Sequence, residues 1–277
     1  IVHESAELAA PIVAAVLGVP SVNHGFGRIV PLVILADAGE VVAPLWAQAG
    51  IERPPFAGSF RDLYVDPCPP SLQHEPPPID RVALVRPVGF DGATDDVAPD
   101  WLRGLPDRPT VYVTLGTVFN DVSVFGVLLD GLRRENLNVI LTTGRDIDPA
   151  DLGPQPANVR VERYVPQSAI LGSCSAVVSH AGSGSMLAAL ARGLPMVLTP
   201  RAADQFDNAD GCVKAAAAIR IMPADLTGAA VRAAVATVLS DAKYREAARR
   251  IRDEIASMPP PAAVVPVIES LVPTIAR

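Results

Sequence analysis

The sequence is poor in cysteine and in clustered positive charge. Cys68, Cys174 and Cys212 are scattered along 277 residues and do not lie at metal-ligand spacings. This argues against a disulfide framework or a zinc site, and it indicates a reducing, cytoplasmic compartment. With a formal net charge of -7 and no run of Lys and Arg, the chain also lacks the basic face that a nucleic-acid partner requires.

Long apolar segments are missing too. The stretch 9–22 is interrupted by Pro11, Gly18 and Pro20, and it is shorter than the roughly 20 residues of a membrane helix. The sequence therefore predicts no membrane span. Hydrophobic residues nevertheless make up 49% of the chain, which favours one large or two smaller globular domains with well-filled cores.

The first part of the chain is predicted to be the remainder of a domain. Residues 1–4 lack an initiating Met and resemble the end of a buried strand, and a helix over 6–17 and a strand over 20–23 follow. Because a doubly wound domain usually takes ~100–150 residues, we expect an N-terminal portion to precede this segment.

Two connectors follow. Residues 66–88 contain seven prolines, which favour an extended linker without regular pairing. Residues 89–109 are acidic and Gly/Pro-punctuated, with Asp91, Asp95, Asp96 and Asp100, and they place the domain boundary nearby.

After Pro109, apolar runs alternate with helix-length segments, which predicts a parallel sheet with crossover helices. The predicted strands are 110–115, 138–143, 159–162, 176–179, 195–198 and 218–221. The predicted helices are 122–134, 186–192, 206–217, 227–239 and 242–255. In the last of these, Lys243, Arg245, Arg249, Arg250 and Arg252 are typical of a solvated helix face.

A glycine turn follows the fourth of these strands, in the stretch Ser179-His180-Ala181-Gly182-Ser183-Gly184-Ser185. Glycines allow an anion to approach the backbone at a helix start, where free N–H groups and the helix dipole attract negative charge. The alternatives are ordinary turn punctuation with a serine N-cap and a structural histidine. Together, the residues favour a diphosphate ligand.

Other polar residues are predicted at the same edge of the sheet. Asp204 and Gln205 follow the fifth strand, where they suit sugar hydroxyls, although Asp204 could equally cap a helix. Tyr164, after the third strand, could stack on a base or pack under its loop. Gly116 and Thr117 could hold phosphate or form a plain helix-entry turn. Neither a G-x-G-x-x-G fingerprint opening a helix nor a Walker A lysine is present, which argues against NAD and ATP.

From 111 to 209 the chain resembles the donor-binding domain of family 1 glycosyltransferases of the GT-B fold, an α/β fold of two Rossmann-like domains facing a cleft. The motifs are Tyr164-Val165-Pro166-Gln167, the Ser179–Ser185 stretch, Gly193-Leu194-Pro195, and the segment from Pro200 through Asp204-Gln205 to Asn208. The resemblance implies an incomplete acceptor-binding domain with its linker over 1–88, a donor-binding domain over 89–257, and a C-terminal segment over 258–277 that returns to the first domain.

The resemblance also implies roles for individual residues. The diphosphate would be bound by His180, Gly182, Ser183, Gly184, Ser185 and Thr117, the base by Tyr164, Val165 and Gln167, and the sugar by Asp204 and Gln205. Glu4 would be the acidic partner of a general-base histidine that this sequence does not contain, although it could also serve at a helix start. Two departures bear on base and ribose recognition: Ala188 stands where many relatives have Glu, and Tyr164 where plant relatives have Trp. His24 lies where acceptors approach in relatives, or it is a turn histidine.

The expected activity is inverting transfer of a sugar from a UDP- or TDP-sugar to a hydroxyl of a small lipophilic acceptor, with no metal and no cofactor. A homodimer is possible. The alternatives are a catalytically silent nucleotide-sugar-binding or activator protein, and a nucleotide-sugar epimerase on the same scaffold.

Overall fold

A computed structural model describes residues 1–89, 98–117 and 120–272. The chain forms two compact units: the first joins Ile1–Pro87 to Ile255–Arg277, and the second is Val88–Glu254. Each unit contains a parallel β-sheet.

Within the described residues, the first unit has a four-stranded sheet. Its elements are β1 (Val2–Glu4), α1 (Ala9–Leu17), β2 (Val22–His24), α2 (Leu32–Gln48), β3 (Leu63–Asp66) and β4 (Val82–Leu84). The strand order is β1-β2-β3-β4, and all pairs are parallel. The far end of the chain returns to this unit, where Val264 and Ile268 pack against a core that includes Val22, Leu63 and Val65.

The start of α1 differs from the prediction. The helix begins at Ala9, not at residue 6, and acidic side chains bind N–H groups ahead of it and at its first residue. The Glu4 carboxylate accepts a hydrogen bond from Ala6 N–H at 2.8 Å, and the Glu7 carboxylate accepts one from Ala9 N–H at 2.8 Å. The helix ends at Leu17 as predicted, since Gly18 adopts a left-handed φ of 63° and closes the last turn. The next strand is Val22–His24, against a predicted range of 20–23.

The proline-rich segment 66–88 is not only a linker. The proline-free run Val82–Leu84 pairs with β3 as the outermost strand of the described sheet. Prolines at 67–78 and Pro87 flank this run without interrupting it, so the prediction of an extended connector without regular pairing was wrong at β4. Of the second connector, Asp91, Asp95 and Asp96 lie outside the described residues, and Asp100 opens the short helix α3 (Asp100–Arg103).

The second unit alternates strands and helices as predicted. Its further elements are β5 (Thr110–Thr114), α4 (Val122–Leu132), β6 (Asn138–Thr142), β7 (Val159–Glu162), α5 (Gln167–Leu171), β8 (Ala176–Ser179), α6 (Ser183–Ala191), β9 (Met196–Leu198), α7 (Gln205–Lys214), β10 (Ala218–Arg220), α8 (Gly228–Ser240) and α9 (Ala242–Ser257). The unit boundary falls within α9, and α10 (Val265–Glu269) belongs to the first unit. The six predicted strands are confirmed to within one residue at each end.

The central strands of the second sheet are buried on both faces. In β5, Val111 and Val113 belong to the core formed with α4 and α8, and Tyr112, which points to the opposite face, is buried as well. Such burial explains why the strands occur in the sequence as continuous apolar runs.

The strand order places a switch point between β5 and β8. The order is β10-β9-β8-β5-β6-β7, with every pair parallel. The chain moves outward from β5 to β7, returns to β8 beside β5, and continues outward in the other direction. Ligands of open parallel sheets bind at the carboxyl ends of the strands at such a point.

Candidate functional site

The loop after β8 makes its turn at an unexpected residue. Ala181 adopts a left-handed φ of 67°, whereas the sequence suggested that Gly182 and Gly184 form the turn. Gly182 has an ordinary φ of -61° at the N-cap of α6, and Gly184 lies within the first helical turn. The glycines provide space instead. A Cβ on Gly182 would lie 2.8 Å from Cε1 of His180, and one on Gly184 would meet nothing within 4 Å, so the helix start is open beside Gly184.

The imidazole of His180 lies between two glycines. A Cβ on Gly116, which follows β5, would come within 2.7 Å of Cε1, as a Cβ on Gly182 would from the other loop. The ring therefore connects the two loops at the switch point. His180 is 9% exposed, and its Nδ1 is buried with no hydrogen-bond partner among the described residues. Buried polar atoms in structural roles are nearly always hydrogen-bonded. His180 therefore does not fit the alternative interpretation, in which it is a structural histidine with its hydrogen bonds made.

Burial also sets the charge of this ring. It lowers the pKa of His180 below the ordinary value of 6.5, and the nearby Asp204 carboxylate opposes the shift. Burial therefore favours the neutral form of the imidazole in the free protein. A bound anion would favour the protonated form, since nearby negative charge raises the pKa of a histidine.

The first turn of α6 offers backbone donors. No side chain caps this helix, and its first bond to the preceding loop runs from Met186 N–H to the Gly182 carbonyl at 3.0 Å. The N–H groups of Ser183, Gly184 and Ser185 come earlier and have no acceptor within the described chain. These donors, together with the helix dipole, suit an anion.

A hydrogen-bonded network joins this loop to the start of α7. The Ser183 hydroxyl donates to Asp204 Oδ2 at 2.7 Å. Asn208 Nδ2 lies 2.8 Å from the same oxygen, 3.0 Å from Ser183 Oγ and 3.0 Å from the Ala181 carbonyl. Asn208 thus contacts the strained Ala181 and both predicted ligand residues. Asp204 occupies the N-cap position of α7, as the alternative had it, but its side chain makes no capping bond to the helix.

Ser183 and Gln205 are less available than the sequence suggested. The Ser183 side chain is buried in the network just described. Gln205 is 2% exposed, and its Oε1 accepts hydrogen bonds from the N–H groups of Arg201 at 2.8 Å and Ala202 at 3.1 Å. The Gln205 carboxamide therefore stabilises the loop after β9, and Asp204 is the more accessible of the predicted sugar-binding pair.

The loop after β7 approaches the start of α6. Tyr164 is 62% exposed, so it is not packed under its loop, whereas Val165 is buried. Gln167, the first residue of α5, donates through Nε2 to Ser185 Oγ at 3.3 Å. The predicted base-binding and diphosphate-binding segments are therefore in contact.

The loop after β5 contains one residue that the motifs did not reveal. Thr117 is exposed next to Gly116, which has a φ of 78°. Asn120 is the missed residue: both polar atoms of its side chain are buried without a partner among the described residues. A Cβ on Gly144, after β6, would collide with its Nδ2. A lone Asn in a loop carries no sequence signal for such a position.

In the first unit, Glu4 lies at the carboxyl end of β1 and is exposed. Glu4 is not the N-cap of α1, which is Leu8, and it does not lie in the first turn; its carboxylate instead accepts a hydrogen bond from Ala6 N–H ahead of the helix. His24 ends β2 and is exposed; its Nδ1 lies 2.6 Å from the Gly25 carbonyl.

A buried carboxylate in the same unit was also missed. Asp66, at the end of β3, accepts hydrogen bonds from Cys68 N–H at 2.9 Å and from Gln73 Nε2 at 2.9 and 3.0 Å. Burial raises the pKa of this carboxyl group. Because Asp66 lies among prolines in the sequence, it was assigned to the connector.

Within residues 1–89, 98–117 and 120–272, no group of three or more His, Cys, Asp or Glu side chains could hold a metal ion. No helix in these ranges is long and apolar enough to cross a bilayer.

The parallel α/β architecture matches glycosyltransferases of the GT-B fold. In a structural comparison, spinosyn rhamnosyltransferase SpnG complexed with thymidine diphosphate aligns with a TM-score of 0.84 at 26% identity, over 97% of this chain and 72% of that one. The fold class predicted from the sequence is therefore confirmed.

Sequence comparison gives the family. The family described as "Erythromycin biosynthesis protein CIII-like, C-terminal domain" matches residues 127–271, and the chain belongs to this family. It is 36% identical over 273 residues to L-demethylnoviosyl transferase of Streptomyces niveus, covering 95% of this chain and 69% of that protein. It is 36% identical over 215 residues to tylactone mycaminosyltransferase of Streptomyces fradiae, covering 75% of this chain and 46% of that protein. Both relatives are named as transferases, and this chain spans from about half to about two thirds of their length.

Proposed function

We propose that the protein transfers a sugar from a nucleoside-diphosphate sugar to a hydroxyl of a small lipophilic natural product, with inversion and without a bound metal. One observation carries this proposal: a buried imidazole without a partner lies beside an uncapped helix start at the switch point of the sheet. Neither the His180 ring nor the first N–H groups of α6 has a hydrogen-bond acceptor within the described chain, and a diphosphate would provide acceptors for both.

In the proposed reaction the acceptor oxygen forms a bond to the anomeric carbon while the bond to the diphosphate breaks. Negative charge then develops on the leaving diphosphate. His180 would donate to the β-phosphate, and the N–H groups at the start of α6, with Ser185, would stabilise the α-phosphate. Donors fixed before the reaction stabilise such charge without reorganisation.

Asp204 would bind the sugar hydroxyls. Its carboxylate is oriented by Ser183 and Asn208, and a carboxylate accepts hydrogen bonds from vicinal hydroxyls. Gln205 would act on the sugar mainly by fixing the loop that presents Asp204. Tyr164, exposed beside the buried Val165, would stack on the base.

The proposed donors are TDP- and UDP-sugars. The SpnG structure with thymidine diphosphate supports the first of these, since that protein has the same fold at 26% identity. Ala188 offers no carboxylate for the ribose hydroxyls, so we expect no strong selection for a 2′-hydroxyl. On the acceptor side, Glu4 would orient the histidine that acts as general base in such enzymes.

The test is titration calorimetry with TDP and UDP. His180→Ala should weaken binding by about 1.5–3 kcal/mol, because a charge-assisted hydrogen bond is lost. His24→Ala is the matched control, because this exposed histidine lies in the other unit and should leave the affinity unchanged. Equal affinities of wild type and His180→Ala would remove His180 from the site. If the protein binds TDP but transfers no sugar to any acceptor supplied, the alternative of a catalytically silent binding protein would be favoured instead.

A further inference from the structure

The second unit contains a cavity of about 520 Å³ away from the loop that carries His180. It lies at the amino ends of β8 and β9, where its lining includes Ser175 and Pro195, and beside the C-terminal end of α6. His180 and the start of α6 lie at the carboxyl ends of the same strands. A volume of this size suits a small-molecule ligand.

Four arginines line the cavity, and no Asp or Glu is among the lining residues. The arginines are Arg192, after α6, and Arg245, Arg249 and Arg252 of α9. The three α9 positions follow the i, i+4, i+7 spacing of one helix face. The Arg252 side chain pairs with Asp253 at 2.8 Å, whereas the side chains of the other three make no ion pair or hydrogen bond within the described chain.

Other cations of α9 behave differently. Lys243 pairs with Asp241 at 2.8 Å, and Arg250 does not line the cavity. The solvated-face interpretation fits these two residues. The stems of Arg249 and Arg252 are positioned by close packing instead, because a Cβ on Gly193 would lie 3.2 Å from Arg249 Cγ and 3.4 Å from Arg252 Cδ.

Placing four like charges around one concave surface is unfavourable without a counter-ion. A cleft lined by charge of one sign concentrates its field and raises the local concentration of oppositely charged ligands. Arginine side chains also bind phosphate and carboxylate groups through paired N–H donors. This local excess of positive charge contrasts with the net charge of -7 of the whole chain.

We propose that this cavity binds a small, multiply charged anion of the polyphosphate type, independently of the nucleotide-sugar site. Arg245 and Arg249 would supply most of the binding, because their guanidinium groups have no competing carboxylate. Arg192 would contribute from the end of α6, and Arg252 would share its charge with Asp253.

The test is titration of inorganic pyrophosphate into the protein at constant ionic strength, followed by calorimetry. The double variant Arg245→Gln/Arg249→Gln should weaken pyrophosphate binding by about tenfold or more. Arg250→Gln, on the same helix, should bind as wild type does. Since all three positions are exposed, unchanged thermal unfolding midpoints should confirm that the variants fold.

Further measurements separate this cavity from the proposed nucleotide-sugar site. Pyrophosphate binding should survive His180→Ala, and TDP affinity should be unchanged in the double arginine variant. Pyrophosphate should also protect Arg245 and Arg249, but not Arg250, from phenylglyoxal. Absence of binding at millimolar pyrophosphate, equal weakening by Arg250→Gln, or loss of binding in His180→Ala alone would each overturn the proposal.

Discussion

Gly182→Ala should act on ligand binding through a single neighbouring side chain. The backbone of Gly182, with φ of -61° and ψ of 140°, is comfortable for alanine. The added methyl group would lie 2.8 Å from Cε1 and 3.3 Å from Cδ2 of His180, and closer still to its Nε2. Carbon atoms do not approach so closely, so the ring must move.

The space around the His180 ring leaves little room for that movement. Gly116 also lies so close to the ring that a Cβ there would be 2.7 Å from Cε1. The imidazole must therefore turn away from the space beside Gly116 and Gly182, and it loses the position from which it would reach a diphosphate. We expect Gly182→Ala to cost most of what His180→Ala costs, about 1.5–3 kcal/mol of TDP affinity, which is roughly ten- to a hundredfold in Kd.

A double-mutant cycle measured by calorimetry with TDP tests this mechanism. In the His180→Ala background, Gly182→Ala should cost almost nothing, since the side chain through which it acts is gone. Gly126→Ala is the matched control: a Cβ there meets nothing within 4 Å, so TDP affinity should not change and α4 should gain about 0.5–1 kcal/mol. Additive losses in the cycle would refute the steric mechanism.

Three further predictions concern stability, pH and metal dependence. Asn208→Ala should lower the free energy of unfolding in urea by about 1–3 kcal/mol, because a buried donor to Ala181 and Asp204 is lost; an unchanged unfolding midpoint would contradict this. Burial lowers the pKa of His180 in the folded state, so the unfolded chain binds more protons below about pH 6.5 and stability must fall as the pH drops through that value. His180→Gln should reduce this fall between about pH 7 and pH 5 in urea unfolding, and identical pH profiles would oppose it. TDP binding and sugar transfer should persist in EDTA, since no metal-ligand cluster occurs in the described ranges; loss with rescue by Mg²⁺ would overturn the metal-free mechanism.

The second sheet could be predicted from the sequence because strands that are buried on both faces consist of continuous apolar residues. Strands such as Thr110–Thr114 and Ala176–Ser179 are short apolar runs with clear boundaries. By contrast, α2 was missed, because Pro44 lies inside it and its apolar residues are not confined to one face. The strand Val82–Leu84 was missed because the surrounding prolines dominate the local composition.

The order of the site motifs along the chain could be predicted from the sequence, whereas the hydrogen-bond partners of the individual side chains could not. Linear sequence placed His180, Asp204 and Tyr164 at strand ends. It could not reveal that the Ser183 hydroxyl donates a hydrogen bond to Asp204, or that the Gln205 side chain accepts one from Arg201 N–H. Such partners depend on how separate loops meet at the edge of the sheet.

The central claim is that the imidazole of His180 and the start of α6 bind the diphosphate of the donor. The most direct measurement is an NMR titration of the His180 ring, with and without saturating TDP. We expect a pKa below the ordinary 6.5 in the free protein and a rise on binding, because an adjacent anion favours the imidazolium. A His180 pKa that is unchanged by bound TDP would contradict it.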